Sequence, residues 1–357
     1  MFTQLQVASS VRHVDGVSVA RGCGWQDGQR TTSLIDLDIK SIINPPESTG
    51  MGFWSINPYV GCELGCSYCY ARYAHRYVME RTHDAGQISI EEFNRFRETQ
   101  SWEGFERQIF VKRRRSVLTA LERDLAKIRR KSTCGRPHPI VIGTATDPYQ
   151  PAEQRFHITR AILSRLLETR GLTISLITKS PRVCRDIELL RELKTRHRLV
   201  VYISLISTDV RIIKQFEARS PMPHARLATL RKFTDVGIIA GLNVAPVLPG
   251  ITDSAFQIDS LMAAASKASA AFVHPAALQF FPAVRDGYLP IVEKHFPDLV
   301  PRYRVAYRGN WDAPTDYVAA IRRRFQRAAR KYGLDTDDPL QIREQRQADC
   351  DAQLSLL

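Results

Sequence analysis

The chain has 357 residues, with 51 Lys and Arg against 37 Asp and Glu, and a formal net charge of +14 at pH 7. Its 44% hydrophobic and 25% charged residues are typical of a folded globular protein and exclude wholesale disorder. The longest apolar stretch, 236–247, is broken by glycine, asparagine and proline and is shorter than the roughly 18 residues of a membrane helix. The amino terminus has no secretory signal pattern. We therefore expect a cytoplasmic protein with no membrane partner.

Seven cysteines are present, and an odd number in a long chain without a signal peptide argues against a disulfide framework. Reduced thiols or metal ligands are the expected alternatives. Three of the seven, Cys62, Cys66 and Cys69, lie within eight residues, whereas the other four are isolated in the sequence. The clustered three are therefore the candidate metal ligands.

In chain order, residues 1–50 come first and contain several glycines and a Pro-Pro pair without periodicity, which predicts an irregular extension. From residue 54 onward, short β-branched runs alternate with amphipathic stretches. The predicted strands are 54–60, 139–146, 172–178, 199–207, 237–247 and 271–280. The predicted helices are 116–131, 157–169, 183–196, 225–236 and 314–331. Strands that alternate with helices of this length predict βαβ units and a parallel sheet.

Six strand–helix units are predicted, whereas a closed (β/α)8 barrel needs eight. The sequence therefore indicates the α/β class and an open partial (β/α)6 barrel of parallel strands, with an irregular N-terminal and a helical C-terminal extension. The expected division is an N-terminal extension at 1–50, a barrel core at 51–285 and a C-terminal extension at 286–357. Within the core, residues 75–138 form a basic insertion, because this gap is too long for one ordinary connection.

The cysteine cluster lies in a loop after the first predicted strand, with spacings of three and then two residues. Thiolates at this spacing can converge on one metal centre, and Gly61 and Gly65 permit the tight backbone wrap that this requires. Iron–sulfur cubanes normally take four cysteines. Three ligands leave one iron open for a substrate or cofactor, as open positions distinguish catalytic from structural zinc sites.

Two other interpretations of the cluster are open at this point. The three thiols could be structural and bind no metal, or they could bind zinc together with His75 or His83. Zinc sites usually pair a Cys-x-x-Cys motif with a second pair of ligands, and no such pair follows here. The spacing therefore favours an iron–sulfur centre.

The Cys-x-x-x-Cys-x-x-Cys pattern, with Tyr68 before the third cysteine, resembles the radical S-adenosylmethionine (SAM) superfamily. Further segments resemble one branch of it, the spore photoproduct lyase-like or DNA repair photolyase-like proteins. These segments are 57–72, 143–153, 178–180 and 245–250, together with the last basic helix. The resemblance covers about residues 50–333, which is most of the chain.

The resemblance implies that Cys62, Cys66 and Cys69 hold a [4Fe-4S] cluster whose open iron binds SAM through its amino and carboxylate groups. One-electron reduction would then cleave SAM to methionine and a 5′-deoxyadenosyl radical, which abstracts hydrogen from the substrate. A reducing partner of the flavodoxin or ferredoxin type is therefore expected. In such enzymes the cofactor supplies the difficult chemistry and the protein supplies positioning.

Polar residues end several predicted strands, where functional groups gather in barrels of this kind. The resemblance implies that Thr146 and Asp147 take the place of the Gly-Gly-Glu segment common in the superfamily. Asp147 is expected either to accept from the SAM ammonium or to initiate a turn with Pro148. Lys179 is expected either to pair with the methionyl carboxylate or to be a solvated lysine before a turn.

The next two strands extend this predicted SAM site. Ser204 and Ser207 suit ribose hydroxyls, although serines near strand ends are often only capping groups. The segment with Asn243 is expected to flank the adenine, while Tyr68 covers its opposite face. The predicted SAM contacts are therefore Tyr68, Thr146, Asp147, Lys179, Ser204 and Asn243.

One departure from the branch concerns the hydrogen donor. Spore photoproduct lyases resemble one another in a donor cysteine near the end of the second strand, but residues 143–147 contain no cysteine, and Cys134 precedes that strand. This argues against thymine-dimer repair. The expected function is a radical SAM enzyme of a lyase or repair type that acts on nucleic acid. The alternatives are a radical SAM enzyme for a peptide or small molecule, or a non-catalytic iron–sulfur regulatory protein.

The positive charge is concentrated in two segments. Residues 101–136 contain eleven basic and four acidic residues, half of the net charge, and a second basic run covers 322–331. Such clustering attracts phosphates, although arginine-rich helices are often only solvated. A nucleic-acid partner is therefore expected to contact the basic segments 107–136 and 322–331.

Overall fold

The computed structural model describes residues 32–49, 52–86, 88–91, 93–94, 101–131, 139–337 and 339. The strands are β1 (Ser33–Leu37), β2 (Ile43–Asn44), β3 (Trp54–Ile56), β4 (Tyr59–Val60), β5 (Gln108–Lys112), β6 (Ile140–Ile142), β7 (Thr173–Thr178), β8 (Arg198–Ser204), β9 (Ile239–Val247) and β10 (Val273–Ala277). They form one seven-stranded and one three-stranded sheet.

Helices cover much of the remaining chain. They are α1 (Pro46–Thr49), α2 (Arg72–Asp84), α3 (Ser101–Arg107), α4 (Arg114–Lys131), α5 (Glu153–Phe156), α6 (Ile158–Leu166), α7 (Ile187–Arg196), α8 (Val210–Phe216), α9 (Pro223–Asp235), α10 (Ala255–Lys267), α11 (Pro282–His295), α12 (Val300–Ala306) and α13 (Thr315–Tyr332). Short 3-10 helices cover Pro181–Asp186 and Pro297–Leu299. In the described residues, no helix is both long and apolar enough to cross a membrane.

The large sheet has the strand order β10-β9-β8-β7-β6-β3-β2. Its first six strands in this order are parallel, and β2 is antiparallel to β3. This confirms the predicted open partial barrel of six parallel strands. The register pairs Thr178 with Ile203 and Ser204 with Asn243, so the carboxyl ends of β7, β8 and β9 meet at one edge. That edge is where the cysteine loop also lies.

The small sheet has the order β1-β5-β4, and its existence corrects the predicted strand 54–60. That segment is two strands, because Pro58 cannot donate a ladder hydrogen bond and the chain turns there. The second strand, β4, pairs with β5 of the basic insertion, and β1 of the N-terminal segment pairs with the other edge of β5. Residues 1–31 of that segment lie outside the described residues.

Two predicted helices also begin differently. The helix predicted at 157–169 is α6, which begins at Ile158 because His157, with a φ of 51°, separates it from the short helix α5. The helix predicted at 183–196 begins as a 3-10 helix at Pro181 and becomes α-helical only at Ile187. The last helix, α13, buries an apolar face toward the barrel and leaves its basic face exposed, as its sequence predicts.

Candidate active site

A cavity of about 260 Å³ opens at the carboxyl ends of the parallel strands. Its wall contains all three cysteines of the predicted cluster and all six predicted SAM contacts. These residues are Cys62, Cys66, Cys69, Tyr68, Thr146, Asp147, Lys179, Ser204 and Asn243. Residues from five separate parts of the sequence thus converge on one space, because parallel strands end at the same edge of the sheet.

The cysteine loop is held by backbone geometry. Gly61 has a φ of +85°, and a Cβ there would lie only 2.8 Å from the carbonyl oxygen of Phe105. The next residue, Cys62, donates its backbone N–H to that same carbonyl at 2.8 Å. Ser67 donates its N–H to the carbonyl of Phe216 at 2.9 Å. The loop is therefore fixed to α3 on one side and to α8 on the other.

The three thiols are free, and Cys62 and Cys66 are buried. Burial raises the pKa of Cys62 well above its ordinary value and the pKa of Cys66 to about 11. Thiolates without a cation are therefore unfavourable here, whereas a bound metal centre deprotonates its cysteine ligands outright. This chemistry fits a metal centre that the three thiols share.

The arrangement does not fit a single ion. In the part of the chain that the structure describes, no group of three or more His, Cys, Asp or Glu side chains is gathered closely enough to hold one metal ion. His75 is fully buried with its Nε2 3.0 Å from the carbonyl oxygen of Gln108, and His83 stacks on Phe93. Neither histidine lines the cavity. The two histidines of the zinc alternative therefore lie apart from the cavity that the three cysteines line.

Asp147 is occupied by the protein's own donors. Its Oδ1 accepts from the backbone N–H of Tyr149 at 2.8 Å and from the hydroxyl of Thr178 at 2.7 Å. Its Oδ2 accepts from the backbone N–H of Lys179 at 2.7 Å. The turn that the sequence predicts is present, and the carboxylate also ties the ends of β6 and β7 together. A contact with the SAM ammonium stays a prediction.

The other strand-end residues differ in what they leave available. Thr146 donates its hydroxyl to the carbonyl of Gly61 at 2.6 Å and so fixes the cysteine loop. Ser204 lines the cavity, whereas Ser207 does not, because its hydroxyl lies 2.8 Å from Oε1 of Gln257. The ribose role predicted for Ser207 stays a prediction. The side-chain amide of Asn243 makes no hydrogen bond to any described residue, so it remains available to a ligand.

The sequence analysis did not predict a buried carboxylate, Glu217, that contacts a residue of the cavity wall. Glu217 and Arg226 are both fully buried and form an ion pair. The other oxygen of Glu217 accepts from the hydroxyl of Tyr68. Arg226 also donates to the carbonyl oxygen of Ser204 at 2.9 Å. No motif marks these residues, and other charged residues surround them in the sequence after the fourth parallel strand, so no sequence signal distinguishes them.

Lys179 completes the electrostatics of the cavity. Its Nζ lies 5.8 Å from the ring centroid of Tyr68, and within the described chain no acceptor binds this ammonium. Burial alone would lower the pKa of Lys179, but Cys66 and Glu217 outweigh it and raise the pKa above its ordinary value. The residue therefore presents a positive charge, which suits a carboxylate ligand.

The family model of the radical SAM superfamily matches residues 56–259, more than half of the chain. The chain belongs to the radical SAM superfamily. One relative, an uncharacterized protein of Mycobacterium tuberculosis, is 31% identical over 84% of this chain and 80% of the relative's own length. Another, an uncharacterized protein of Methanocaldococcus jannaschii, is 26% identical over 63% of this chain and 71% of the relative's own length. The superfamily assignment implies that this radical SAM protein binds SAM and an iron–sulfur cluster.

Solved structures place the fold of this radical SAM protein close to that of spore photoproduct lyase. A lyase variant with a bound dinucleoside spore photoproduct has a TM-score of 0.55 and 13% identity, over 78% of this chain and 73% of the lyase. A second variant, with bound SAM and the same dinucleoside, has a TM-score of 0.54 and 14% identity, over 78% and 74%. At this identity the likeness shows the shared fold.

The cavity of this protein also bears on the hydrogen donor. Among the described residues, its wall contains no cysteine besides the three in the loop. Cys134 lies outside the described residues. The end of β6 instead presents Thr144, Ala145 and Thr146 to the cavity. The described cavity therefore offers no thiol at the position where the lyase branch is expected to have one.

Proposed function

We propose that this protein is an enzyme that reductively cleaves SAM at a [4Fe-4S] cluster held by Cys62, Cys66 and Cys69, and that it acts on nucleic acid in a lyase- or repair-type reaction. When bound, the cluster and SAM would together supply a 5′-deoxyadenosyl radical for hydrogen abstraction. One observation carries the proposal: the three thiols and the six predicted SAM contacts line a single cavity.

The chain's own residues would bind and orient SAM. The ammonium of Lys179 would pair with the methionyl carboxylate, because it is charged and has no acceptor among the described residues. The hydroxyl of Ser204, at the end of β8, and the amide of Asn243, its register partner in the middle of β9, would bind the nucleoside part. Apolar side chains, among them Leu64 and Leu278, would exclude water from the same space.

Charge supports nucleic acid as the substrate class. The net charge is +14, and exposed basic residues lie on α4 and α13. Lys112 does not contribute to such a surface, because it is buried, donates to the carbonyl of Asn57 and has a pKa lowered to about 8 by burial. Arg113 likewise is held by Asp36 and Asp38. The proposed contacts of segment 107–136 are therefore those on the exposed face of α4.

Reduction requires an external electron donor, and we propose a flavodoxin- or ferredoxin-type protein in the cytoplasm. The chain itself offers three cluster ligands and no second cysteine cluster in the part that the structure describes. The electron would therefore come from a partner and not from an internal relay cluster in the described residues.

Anaerobic reconstitution, dithionite reduction and chromatographic detection of 5′-deoxyadenosine test the enzyme proposal. Wild-type protein should form 5′-deoxyadenosine, and Cys66→Ala should lose both the brown cluster absorbance and the product while it remains folded. Lys179→Ala should weaken SAM binding more than cluster assembly. A fully loaded cluster that leaves SAM intact would contradict the proposal and favour a regulatory iron–sulfur protein.

The same assay tests the substrate class. Product formation in the presence of damaged DNA, undamaged DNA, RNA and a peptide panel should rise only with one of the nucleic acids. A rise with peptides alone would assign the enzyme to the alternative substrate class.

A further inference from the structure

A second cavity, of about 390 Å³, lies beside the active site between α11, α12 and the loop that leads to α13. One hydrogen bond and the chain segment 278–281 join it to the active-site wall. The hydroxyl of Tyr307 donates at 3.1 Å to the carbonyl of Leu278, which lines the active-site cavity. The N–H of Phe280 donates at 2.7 Å to the carbonyl of Trp311. The two cavities are therefore neighbours across residues 278–281.

A row of aromatic rings leads from one cavity to the other. Tyr70 lines the active-site cavity, and Tyr73 lies three residues later, in the first turn of α2, with 40% of its surface exposed. The ring of Tyr73 lies 5.7 Å from that of Phe281, which lies 5.2 Å from that of Trp311. Trp311 lines the second cavity and is 56% exposed. The half-buried ring of Phe281 thus connects two exposed rings, and exposed aromatic side chains that lie together are typical of a binding surface.

Arginines accompany the far end of this row. Arg285, Arg304 and Arg308 line the second cavity, and no carboxylate is in its wall. Arg304 and Arg308 are exposed and form no ion pair with any described residue. Arg285 is 3.5 Å from the carboxylate of Asp286, with both side chains about half exposed. The second cavity is therefore positively charged as well as aromatic.

We infer that the aromatic–arginine surface, formed by Tyr73, Phe281, Trp311, Arg304 and Arg308, binds a single-stranded or locally unpaired segment of the nucleic acid. The bases would stack on the rings, and the arginines would contact phosphates. This inference rests on the proposed function for its substrate class, and it deepens that function by naming where the strand lies and in what state.

The combination of rings and arginines favours this occupant. Every base has a π face, so a row of aromatic side chains binds single strands with little sequence preference. Bases paired inside a duplex cannot reach such rings, so the strand must be open at the active site. An acidic electron-donor protein would also be attracted by the arginines, but charge attraction alone gives no role to the rings.

Anisotropy of a fluorescein-labelled oligothymidylate, measured with the reconstituted full-length protein, tests the inference. Trp311→Ala should weaken binding about tenfold, because one lost stacking contact has about that effect. Trp311→Phe should restore most of the affinity. The double variant Arg304→Ala/Arg308→Ala should weaken binding and lower the slope of log affinity against log salt by about one to two. A duplex of the same length should bind more weakly than the single strand.

Two matched control variants lie elsewhere. Phe256 is 77% exposed and lines neither cavity, so Phe256→Ala removes an exposed ring without touching the surface. Arg170 is exposed in the turn before β7, at the opposite ends of the strands from the active site, so Arg170→Ala removes a distant charge. Both controls should bind the oligonucleotide as the wild type does.

The outcomes separate this inference from the proposed function. Formation of 5′-deoxyadenosine with dithionite, without nucleic acid, reports on SAM cleavage alone and should be unchanged in Trp311→Ala. If Trp311→Ala binds oligothymidylate as tightly as wild type, the inference is wrong even where SAM is cleaved. If the double arginine variant keeps its oligonucleotide affinity but is reduced more slowly by flavodoxin, the surface serves the electron donor and the inference is likewise wrong.

Discussion

The protein contains two buried networks of carboxylates, arginines and tyrosines, and they differ in their access to water. The cavity network consists of Glu217, Arg226 and Tyr68 beside the active site. Both members of its ion pair have side chains that are 0% exposed, and one arginine serves one carboxylate. Water therefore cannot take the place of either partner in this ion pair.

The connection network lies in the segments that follow β6 and β7. Its two carboxylates, Glu153 and Asp186, are buried and share Arg185, whose side chain is 31% exposed. Arg160, which is 48% exposed, also pairs with Asp186. Glu153 further accepts from the backbone N–H of Thr159 at 2.9 Å, at the start of α6. Several donors therefore bind the two carboxylates, and the two arginines are partly exposed to water.

The difference indicates two roles. The connection network holds helices α5 and α6 against the 3-10 helix and contributes to stability. The cavity network holds the Tyr68 ring and helps to keep Lys179 charged, so it also sets the shape and charge of the SAM site. A buried pair with a single arginine is costly to break, because the remaining carboxylate loses its ion-pair partner and keeps only the neutral Tyr68 hydroxyl as a donor.

Among the variants that compare the two networks, we expect Arg226→Met to lower the free energy of unfolding most. It leaves the Glu217 carboxylate buried without its cation, and the free energy of unfolding should fall by about 3–5 kcal/mol. Urea unfolding measures the loss. The double variant Arg226→Met/Glu217→Gln removes the stranded charge and should recover more than half of it. If Arg226→Met alone lowers the free energy of unfolding by less than about 1 kcal/mol, water reaches the cavity network and the Glu217–Arg226 pair behaves like an exposed ion pair.

The same substitution in both networks sharpens the comparison further. Glu217→Gln and Glu153→Gln each remove one buried negative charge with almost no change in shape. Glu217→Gln should also weaken SAM binding by about tenfold, or about 1.4 kcal/mol, because Tyr68 and Lys179 lose the group that positions and charges them. Glu153→Gln should keep wild-type SAM affinity. Equilibrium dialysis with labelled SAM and reconstituted protein measures both, and equal affinities would remove the positioning role of Glu217.

The cysteine loop and the strand-end residues could be predicted from the sequence, for two physical reasons. A ligand motif is local, so the spacing of Cys62, Cys66 and Cys69 is visible without a fold. Parallel strands end at one edge, so a correct division into strands brings Lys179 and Asn243 to the same cavity.

The supporting residues could not be predicted, because their partners are distant in sequence. Glu217 is 149 residues from Tyr68, and no local pattern requires a buried carboxylate after the amphipathic helix α8. The strand β1 likewise could not be predicted, because it pairs with β5, which lies about 75 residues later in the insertion. The aromatic–arginine surface combines α2 with the C-terminal helices, which are separate predicted segments. Each of these features is a tertiary contact, and single-sequence periodicity carries no information on such contacts.

Arg185→Met should have a smaller effect on stability than Arg226→Met. Arg160 and backbone N–H groups still serve the two carboxylates, and Arg185 is partly in contact with water, so a loss of about 1–2 kcal/mol is expected at low salt. Salt at about 1 M should reduce this loss, because exposed charges are screened. The loss in Arg226→Met should not change with salt. Urea unfolding at both salt concentrations measures this, and equal salt dependence in the two variants would contradict the distinction.

The smallest expected effect is the contribution of Asp186, in the connection network, to the loss of stability at acid pH. Burial alone would raise the pKa of Asp186, but hydrogen bonds from Arg185 and Arg160 hold it below the ordinary value of 3.8. The unfolded chain therefore takes up this proton first as the pH falls, so the stabilisation is complete above about pH 4 and is lost as the pH drops through the lower folded-state pKa. Asp186→Asn cannot titrate, so its free energy of unfolding should decline less than that of the wild type between about pH 5 and pH 3. Parallel acid limbs in urea unfolding of the two proteins would show that Asp186 is not held ionised by its arginines, and the connection network would then stabilise the fold by packing and backbone hydrogen bonds alone.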